Sequence, residues 1–153
     1  MPKRKICVVV TARPSYSRIR TALHAIHQHP DLELQLVVAA SALLERYGHA
    51  ISAIDRDGFP VAARVYMVVE GENLVTSAKS TGLGLVELAT VFDNLAPDAV
   101  VTIADRYETL ATAVAASYMN IPVVHVQGGE VAGSIVEKVG QEVSKLSNLH
   151  LLS

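Results

Sequence analysis

The sequence contains one cysteine, Cys7, so no disulfide bond can form within the chain. Cys7 lies in an apolar run, and this position favours a small buried hydrophobic residue over a reactive nucleophile. A single unpaired thiol suits a reducing compartment, so we expect a cytoplasmic protein.

The net charge is small, and long apolar runs are absent from the sequence. The formal net charge is −2 at pH 7, so no overall basic field exists that could hold nucleic acid or an anionic membrane. A transmembrane helix needs roughly 18 consecutive apolar residues, and no run reaches that length. The apolar stretch after the basic N-terminus ends at Arg13 and fits a core strand better than a signal peptide. We therefore expect a soluble protein with neither nucleic acid nor a membrane among its partners.

Several common ligand-binding motifs are absent. The sequence has no GxxxxGK followed by Ser or Thr, and no GxGxxG dinucleotide fingerprint. No set of cysteines and histidines has the spacing of a zinc site. No acidic cluster follows the first predicted strand, which argues against a flavodoxin-like receiver domain. We therefore expect neither a cofactor nor a metal.

The histidines give a weaker signal. His24, His27 and His29 cluster near the predicted end of a helix, where histidine interacts favourably with the negative end of the helix dipole. Metal binding is the less favoured interpretation of this cluster. His125 lies inside an apolar strand pattern, and we expect a hydrogen-bonded core histidine there.

The rest of the sequence predicts one packed domain over residues 1–153, because half of the residues are apolar and 18% are charged. Runs rich in β-branched residues alternate with helix-length segments. The predicted strands are 5–11, 32–40, 62–69, 99–103, 122–127 and the last residues of the chain. The predicted helices are 14–28, 43–57, 75–95, 106–119 and 135–146, of which the second is broken near Gly48 and closes at Gly58. This alternation predicts an α/β fold, a Rossmann-like three-layer sandwich whose parallel sheet of about six or seven strands has helices on both faces.

Ligands of such sheets bind beyond the carboxyl ends of the strands, so the loops after the strands are the candidate site. The first of these loops carries Arg13, Ser15 and Ser17 where a strand meets a helix N-terminus. The exposed N–H groups and the positive end of the helix dipole favour an anion there, and the planar guanidinium of Arg13 suits phosphate. The alternative is an ordinary capped helix start with solvated arginines.

Two later loops are also candidates. Asp105 and Arg106 follow a buried strand, where they could perform chemistry, or where Asp105 could simply cap the next helix. Residues 127–134 contain three glycines, which permit a close approach of the backbone to a ligand. The alternative there is a tight turn, after which Ser134 and Glu137 form a capping box.

Together these loops resemble the hydrolysing branch of the UDP-N-acetylglucosamine 2-epimerase family. The segments that carry the resemblance are RPSYS at 13–17, TGLGL at 81–85, Pro97-Asp98, ADRYE at 104–108 with Ala104 in place of a glycine, and MNIPVVHVQGGEVAGS at 119–134. The resemblance spans nearly the whole chain, and the combination is far more specific than any one motif.

The resemblance implies the first of two Rossmann-like domains in a GT-B arrangement, with the active site in the cleft between the domains. The missing C-terminal domain would supply most of the uridine contacts. The expected ligand is a UDP-sugar, either UDP-N-acetylglucosamine or a diacetamido analogue used for sialic acid and related nonulosonic acids. A homodimer is a further possibility, for which the apolar helix 75–95 could supply the surface.

The family's reaction begins when a positioned base removes the weakly acidic hydrogen at C2 of the sugar. UDP then leaves while arginines stabilise the diphosphate, and water adds to give free N-acetylmannosamine. The residues that the resemblance places in the site are Asp105, Gln127 and Glu130 at the catalytic centre and Arg13, Ser17, Arg106, Gly128 and Gly129 at the substrate. Asp105 is the acid/base candidate, and Glu130 has no assigned role.

Several residues depart from the family pattern. Gln127 stands where many relatives carry a catalytic glutamate, and glutamine cannot transfer a proton. Val136, Gly140 and Gln141 stand where relatives carry an acid, an arginine and a histidine. Two functions therefore stay open: a domain of a hydrolysing 2-epimerase, inactive as this isolated chain, and a non-catalytic module that binds a nucleotide sugar or serves as a scaffold.

Overall fold

A computed structural model of the protein describes residues 2–44, 50–71, 73–103 and 107–126, together with the backbone of a strand at 149–152. The strands are β1 (Arg4–Val10), β2 (Leu32–Ala39), β3 (Val61–Val65), β4 (Ala99–Ile103), β5 (Val123–Val126) and β6 (Leu149–Leu152). The helices are α1 (Arg13–Gln28), α2 (Ala50–Arg56), α3 (Leu74–Leu95) and α4 (Tyr107–Tyr118), and a 3₁₀ turn covers Ala40–Leu43.

The six strands form one sheet in the order β3-β2-β1-β4-β5-β6, and every neighbouring pair is parallel. This confirms the predicted parallel α/β architecture. The chain runs outward from β1 to β3 and then returns to place β4 on the other side of β1. A crevice forms at such a reversal, beyond the carboxyl ends of β1 and β4. The topology therefore places the start of α1 and the start of α4 on either side of one crevice.

Alternate residues of β1 belong to two separate hydrophobic clusters, one on each face of the sheet. Val8 and Val10 face α1 and α2, where they join a cluster with Leu23 and Ile54. Cys7 and Val9 face α3 and α4, in a second cluster with the members Leu88, Phe92, Ala111 and Ala115. The small side chains on α4 let α3 pack closely against it. Because both faces of the sheet are covered by helices, its strands are continuously apolar rather than alternating.

The second predicted helix, 43–57, is wrong in part. The 3₁₀ turn begins at Ala40, whose φ is 54°, and Leu44 that follows it is extended. Residues 45–49 lie outside the described residues, and α2 is described from Ala50. Its predicted end at Gly58 is confirmed: Gly58 has a φ of 82°, and the N–H groups of Gly58 and Phe59 cap the carbonyl oxygens of Asp55 and Ile54.

The third predicted strand, 62–69, ends earlier than its apolar pattern suggests. β3 stops at Val65, and the chain then leaves the sheet so that Met67 can bury completely beside α3 and α4. Gly84 of α3 makes room for this side chain, because a Cβ there would lie 2.3 Å from Cε of Met67. The predicted final strand is confirmed as β6, whereas the predicted helix 135–146 lies outside the described residues.

Cys7 and His125 occupy the core positions that the sequence predicts. Cys7 is fully buried, and this burial raises the pKa of its thiol to about 12, which keeps it protonated. His125 is also buried, with Nδ1 2.6 Å from Oγ1 of Thr102. Among the described helices, none combines the length and apolarity needed to cross a membrane.

The histidine cluster at the end of α1 packs against an aromatic ring. The ring of His24 lies 4.6 Å from that of Phe59, and His27 approaches the same ring edge-on. Nδ1 of His29 accepts a hydrogen bond from the backbone N–H of Asp31. Within the parts of the chain that the structure describes, no group of three histidine, cysteine or carboxylate side chains could hold a metal ion.

Candidate functional site

The candidate site begins where β1 turns into α1. Ala12 is the N-cap residue of α1, and its methyl side chain offers no oxygen to the N–H groups of the first turn. Pro14, in the first turn, suits a helix start because its missing N–H would have no intrahelical partner. The positive end of the α1 dipole therefore opens at the crevice without a capping side chain from its N-cap residue.

The end of β2 is tied to this turn by two hydrogen bonds. The carbonyl oxygen of Thr11 accepts from the backbone N–H of Ala42 at 3.2 Å and from the hydroxyl of Ser41 at 2.9 Å. Since Ala40 turns the chain with a positive φ, Ser41 is brought across to β1. These bonds fix the distance between the start of α1 and the 3₁₀ turn.

A cavity of about 490 Å³ opens at this point and is called here the switch-point cavity. Its lining residues are Ala12, Arg13, Pro14, Ser41, Val68, Val69, Thr76, Ser77, Ser80 and Tyr107. They come from the start of α1, the 3₁₀ turn, the segment after β3, the first turns of α3 and the start of α4. Among the described residues, the cavity thus combines one guanidinium, several hydroxyl groups and a short apolar surface.

The hydroxyl side of the cavity belongs to the start of α3. Asn73 and Thr76 form a capping box, in which each side chain accepts a hydrogen bond of 3.0 Å from the backbone N–H of the other. Ser80 is buried, and its hydroxyl accepts the N–H of Val69 at 2.8 Å. These bonds hold the segment after β3 against α3, so the cavity wall formed by Val68 and Val69 is fixed in place.

Comparison with known proteins identifies the family. The family model described as UDP-N-acetylglucosamine 2-epimerase matches residues 24–153. The chain belongs to this family. The predicted resemblance is therefore confirmed.

The curated relatives of this member of the 2-epimerase family include hydrolysing enzymes. A UDP-N,N'-diacetylbacillosamine 2-epimerase (hydrolyzing) from Legionella pneumophila is 35% identical over 150 residues, which cover 98% of this chain and 40% of the relative. A GDP/UDP-N,N'-diacetylbacillosamine 2-epimerase (hydrolyzing) from Campylobacter jejuni is 32% identical, covering 100% and 40%. The chain thus spans about two fifths of the length of these relatives.

Solved structures share the fold. A UDP-N-acetylglucosamine 2-epimerase from Neisseria meningitidis bound to UDP-GlcNAc matches with a TM-score of 0.76 at 16% identity, covering 93% of this chain and 38% of that one. A second structure, described as a putative UDP-N-acetylglucosamine 2-epimerase from Listeria monocytogenes, gives a TM-score of 0.81 at 16% identity, covering 96% and 38%. At these identities the likeness supports the Rossmann-like fold of GT-B-type 2-epimerases.

The two described residues of the predicted substrate site, Arg13 and Ser17, differ in the cavities that they line. Arg13 is the first residue of α1 and lines the switch-point cavity. Ser17 lies one turn later, and its hydroxyl donates to the carbonyl oxygen of Arg13 at 3.3 Å. Ser17 does not line the switch-point cavity; it lines a second cavity, between α1 and α2, which Arg13 also lines. Arg13 thus reaches the switch-point cavity, whereas substrate contact by Ser17 stays a prediction.

The other predicted site residues follow β4 and β5 directly. Asp105, Arg106, Gln127, Gly128, Gly129 and Glu130 lie outside the described residues, as do Val136, Gly140 and Gln141. The strands that lead to them are neighbours, and Ile103 pairs with Val126 at their carboxyl ends. Both family motifs therefore begin at adjacent points at the carboxyl ends of the strands, where the switch-point cavity also lies.

Sequence reasoning missed the α3 side of the cavity and the buried acid Glu108. Glu108 is fully buried in the first turn of α4, a position where the helix dipole favours a carboxylate. Its place in the family motif at 104–108 is the signal that could have singled it out. The hydroxyl groups of Thr76, Ser77 and Ser80 cluster at the start of a predicted helix, and that clustering was the other available signal.

Proposed function

We propose that the switch-point cavity forms one side of the UDP-sugar site of a hydrolysing 2-epimerase. One observation carries this proposal: Arg13 and the uncapped start of α1 line a cavity at the β1/β4 reversal of a chain from this family. A diphosphate is the part of the substrate that this end of the cavity suits, because helix N–H groups and a guanidinium both bind phosphate oxygens.

The sugar would then contact the opposite wall. Ser77 offers a hydroxyl group that can donate to and accept from sugar hydroxyls. The hydroxyl groups of Ser41 and Thr76 already donate to the carbonyl oxygens of Thr11 and Asn73, so toward the sugar they act as acceptors. Val68 and Val69 add an apolar surface, which suits the methyl group of an N-acetyl substituent. The hydroxyl wall and this apolar surface together favour an acetamido sugar.

We propose that the sugar carries two N-acetyl groups. The relatives named as acting on UDP-N,N'-diacetylbacillosamine are 35% and 32% identical to this chain, whereas a Neisseria meningitidis UDP-N-acetylglucosamine 2-epimerase is 28% identical. A second N-acetyl group would also find the apolar surface of Val68 and Val69. UDP-N-acetylglucosamine is the competing substrate.

Binding by the purified chain tests the site. UDP-N,N'-diacetylbacillosamine, UDP-N-acetylglucosamine and UDP should be titrated separately and followed by amide NMR. We expect weak, saturable binding with shifts at Ser41 and Ser77, and a loss of about tenfold in Arg13→Ala, the scale of one charge-assisted hydrogen bond. Arg4→Ala is the matched control, since it removes the same charge at the amino end of β1, away from the carboxyl ends of the strands. Binding that survives Arg13→Ala unchanged would contradict the site assignment.

Catalysis is a separate part of the proposal. Asp105 would be the acid/base group, and Gln127 cannot take over proton transfer, so we expect no measurable turnover by the chain alone. Loss of a general acid or base typically costs about 100-fold or more. Mass-resolved assay of UDP release, with and without the second domain of a relative added, separates an enzyme domain from the alternative, a non-catalytic binding module. Turnover by the chain alone that is abolished in Asp105→Asn would contradict this expectation.

The outer face of α3 is the proposed surface for a second copy of the chain. Val75, Leu83 and Val86 are exposed there at 62%, 38% and 65%. Lys79 and Glu87 lie one turn before and one turn after Leu83, so an antiparallel copy related by a twofold axis near Leu83 would place each lysine opposite a glutamate.

Light scattering tests this homodimer. Lys79→Glu should give monomers because it places like charges opposite each other, and the exchange Lys79→Glu with Glu87→Lys should restore the dimer. A monomeric wild-type chain, or a charge exchange that fails to restore association, would refute this arrangement.

A cytoplasmic location is also proposed, supported by the free thiol of Cys7.

A further inference from the structure

A second cavity, of about 400 Å³, lies between α1 and α2 and is called here the interhelix cavity. Its polar lining consists of Arg13, Tyr16, Ser17, Arg20, Arg56 and Asp57. Three arginines and one carboxylate therefore face a single concave surface. The family motifs assign no role to the α2 side of this cavity.

The carboxylate of the interhelix cavity is already matched. Oδ1 of Asp57 lies 2.8 Å from Nη2 of Arg20 in an ion pair, and the hydroxyl of Tyr16 donates to the other carboxylate oxygen. The side chain of Asp57 is only 17% exposed, and each of its two carboxylate oxygens accepts a hydrogen bond from one of these partners. Asp57 and Arg20 thus cancel each other's charge and fix the floor of the cavity.

Two guanidinium groups remain over that floor. Within the described residues, neither Arg13 nor Arg56 forms an ion pair with a carboxylate. The open start of α1 adds its positive dipole end beside Arg13. The negative end of α2 near Arg56 is weakened, because its last carbonyl oxygens accept hydrogen bonds from the turn at Gly58. The cavity therefore presents two uncompensated positive charges, which match one dianion.

We propose that the interhelix cavity is a second oxyanion site, which binds a phosphate dianion between Arg13 and Arg56. The shared chemistry is the phosphate group itself, whether as free inorganic phosphate or as a phosphate monoester. Arg13 lines both cavities, so an anion in one competes with an anion in the other for the same guanidinium. By thermodynamic linkage, each site then weakens binding at the other by the same factor.

Titration of the chain with inorganic phosphate, followed by amide NMR, tests this site without any need for turnover. We expect saturable shifts at Ser17, Arg56 and Asp57. Arg56→Ala should weaken this binding about tenfold, because one charge-assisted hydrogen bond is lost. The same variant should leave UDP binding in the switch-point cavity unchanged. Arg4→Ala, which removes an equal charge at the amino end of β1, should alter phosphate affinity by less than about twofold.

A second titration with glucose 1-phosphate distinguishes the two sources of the phosphate group. Equal affinity for both ligands indicates a site that reads the phosphate alone, and tighter binding of the monoester indicates an organic phosphate as the occupant. The proposal is overturned if Arg56→Ala and Arg4→Ala weaken binding equally, which indicates a general surface effect. It is also overturned if the shifts stay at Ser41 and Ser77, which places phosphate only in the switch-point cavity.

Discussion

Gly82 and Gly84 of α3 allow one perturbation to be compared in two environments. At Gly84 an added Cβ would lie 2.3 Å from Cε of Met67, 3.0 Å from its Sδ and 3.3 Å from Cβ of Ala111. At Gly82, one position from Leu83 on the exposed face, no atom lies within 4 Å of an added Cβ. Replacement of each glycine by alanine therefore adds the same methyl group to a crowded and to an open site.

The two substitutions share a backbone term and differ in packing. Alanine is favoured over glycine in a helix interior by about 1 kcal/mol, so Gly82→Ala should stabilise the chain by up to that amount. In Gly84→Ala the same gain is opposed by overpacking, about 1–3 kcal/mol, because the added methyl group displaces the fully buried side chain of Met67 and crowds Ala111. Since the backbone terms cancel, Gly84→Ala should be less stable than Gly82→Ala by about 1–3 kcal/mol, or roughly 2–12 °C in Tm.

Urea and thermal unfolding followed by far-UV circular dichroism measure this difference, and dichroism suits a chain without tryptophan. A shorter side chain in Met67→Ala should remove the clash, so that Gly84→Ala no longer destabilises in that background. Such coupling is the signature of direct contact. Equal stability of Gly82→Ala and Gly84→Ala in the wild-type background would refute the packing argument.

Three further changes test other parts of the fold. Burial raises the pKa of the Cys7 thiol to about 12 in the folded chain. The contribution of this thiol to the free energy of unfolding is therefore complete below its unfolded pKa and is lost as the pH rises toward 12. The free energy of unfolding should fall with increasing pH by up to about 1.4 kcal/mol per pH unit, and Cys7→Ala should reduce this slope. Asn73→Ala removes the side-chain acceptor of the Thr76 N–H and should cost about 1 kcal/mol in urea unfolding, with Asn73→Asp as the tolerated control. Tyr16→Phe removes the hydrogen bond to Asp57 and should cost about 1.5–3 kcal/mol, and an unchanged midpoint would show that this bond contributes nothing.

The strand pattern was readable because burial on both faces leaves a simple signature. The run at Cys7–Val10 is apolar at every position, and both of its faces are covered in the structure. Gly58 likewise marked a helix end by local chemistry alone, since its positive φ is unfavourable for other residues. Features of this kind depend on neighbours in sequence, and prediction succeeded there.

Prediction failed where a residue distant in sequence determines the local structure. The segment after Val65 reads as more strand, yet Met67 leaves the sheet because Gly84 opens a space on α3 for it. Arg13 and Ser17 were rightly placed side by side, one helical turn apart. Arg13 lines both cavities and Ser17 lines only the interhelix cavity. This distribution depends on the position of α2, and no local pattern encodes that position.

The place of β1 in the sheet has a consequence for synthesis on the ribosome. β1 pairs with β2 on one side, but its other neighbour is β4, and the N–H of Lys5 donates to Asp98 at 2.7 Å across 93 positions of sequence. At about 5–20 residues per second, β4 is translated roughly 5–20 s after β1. During that interval one edge of the central strand has no strand to pair with. A nascent chain therefore carries an apolar edge on β1 that other chains could bind until β4 is released from the ribosome tunnel and covers it.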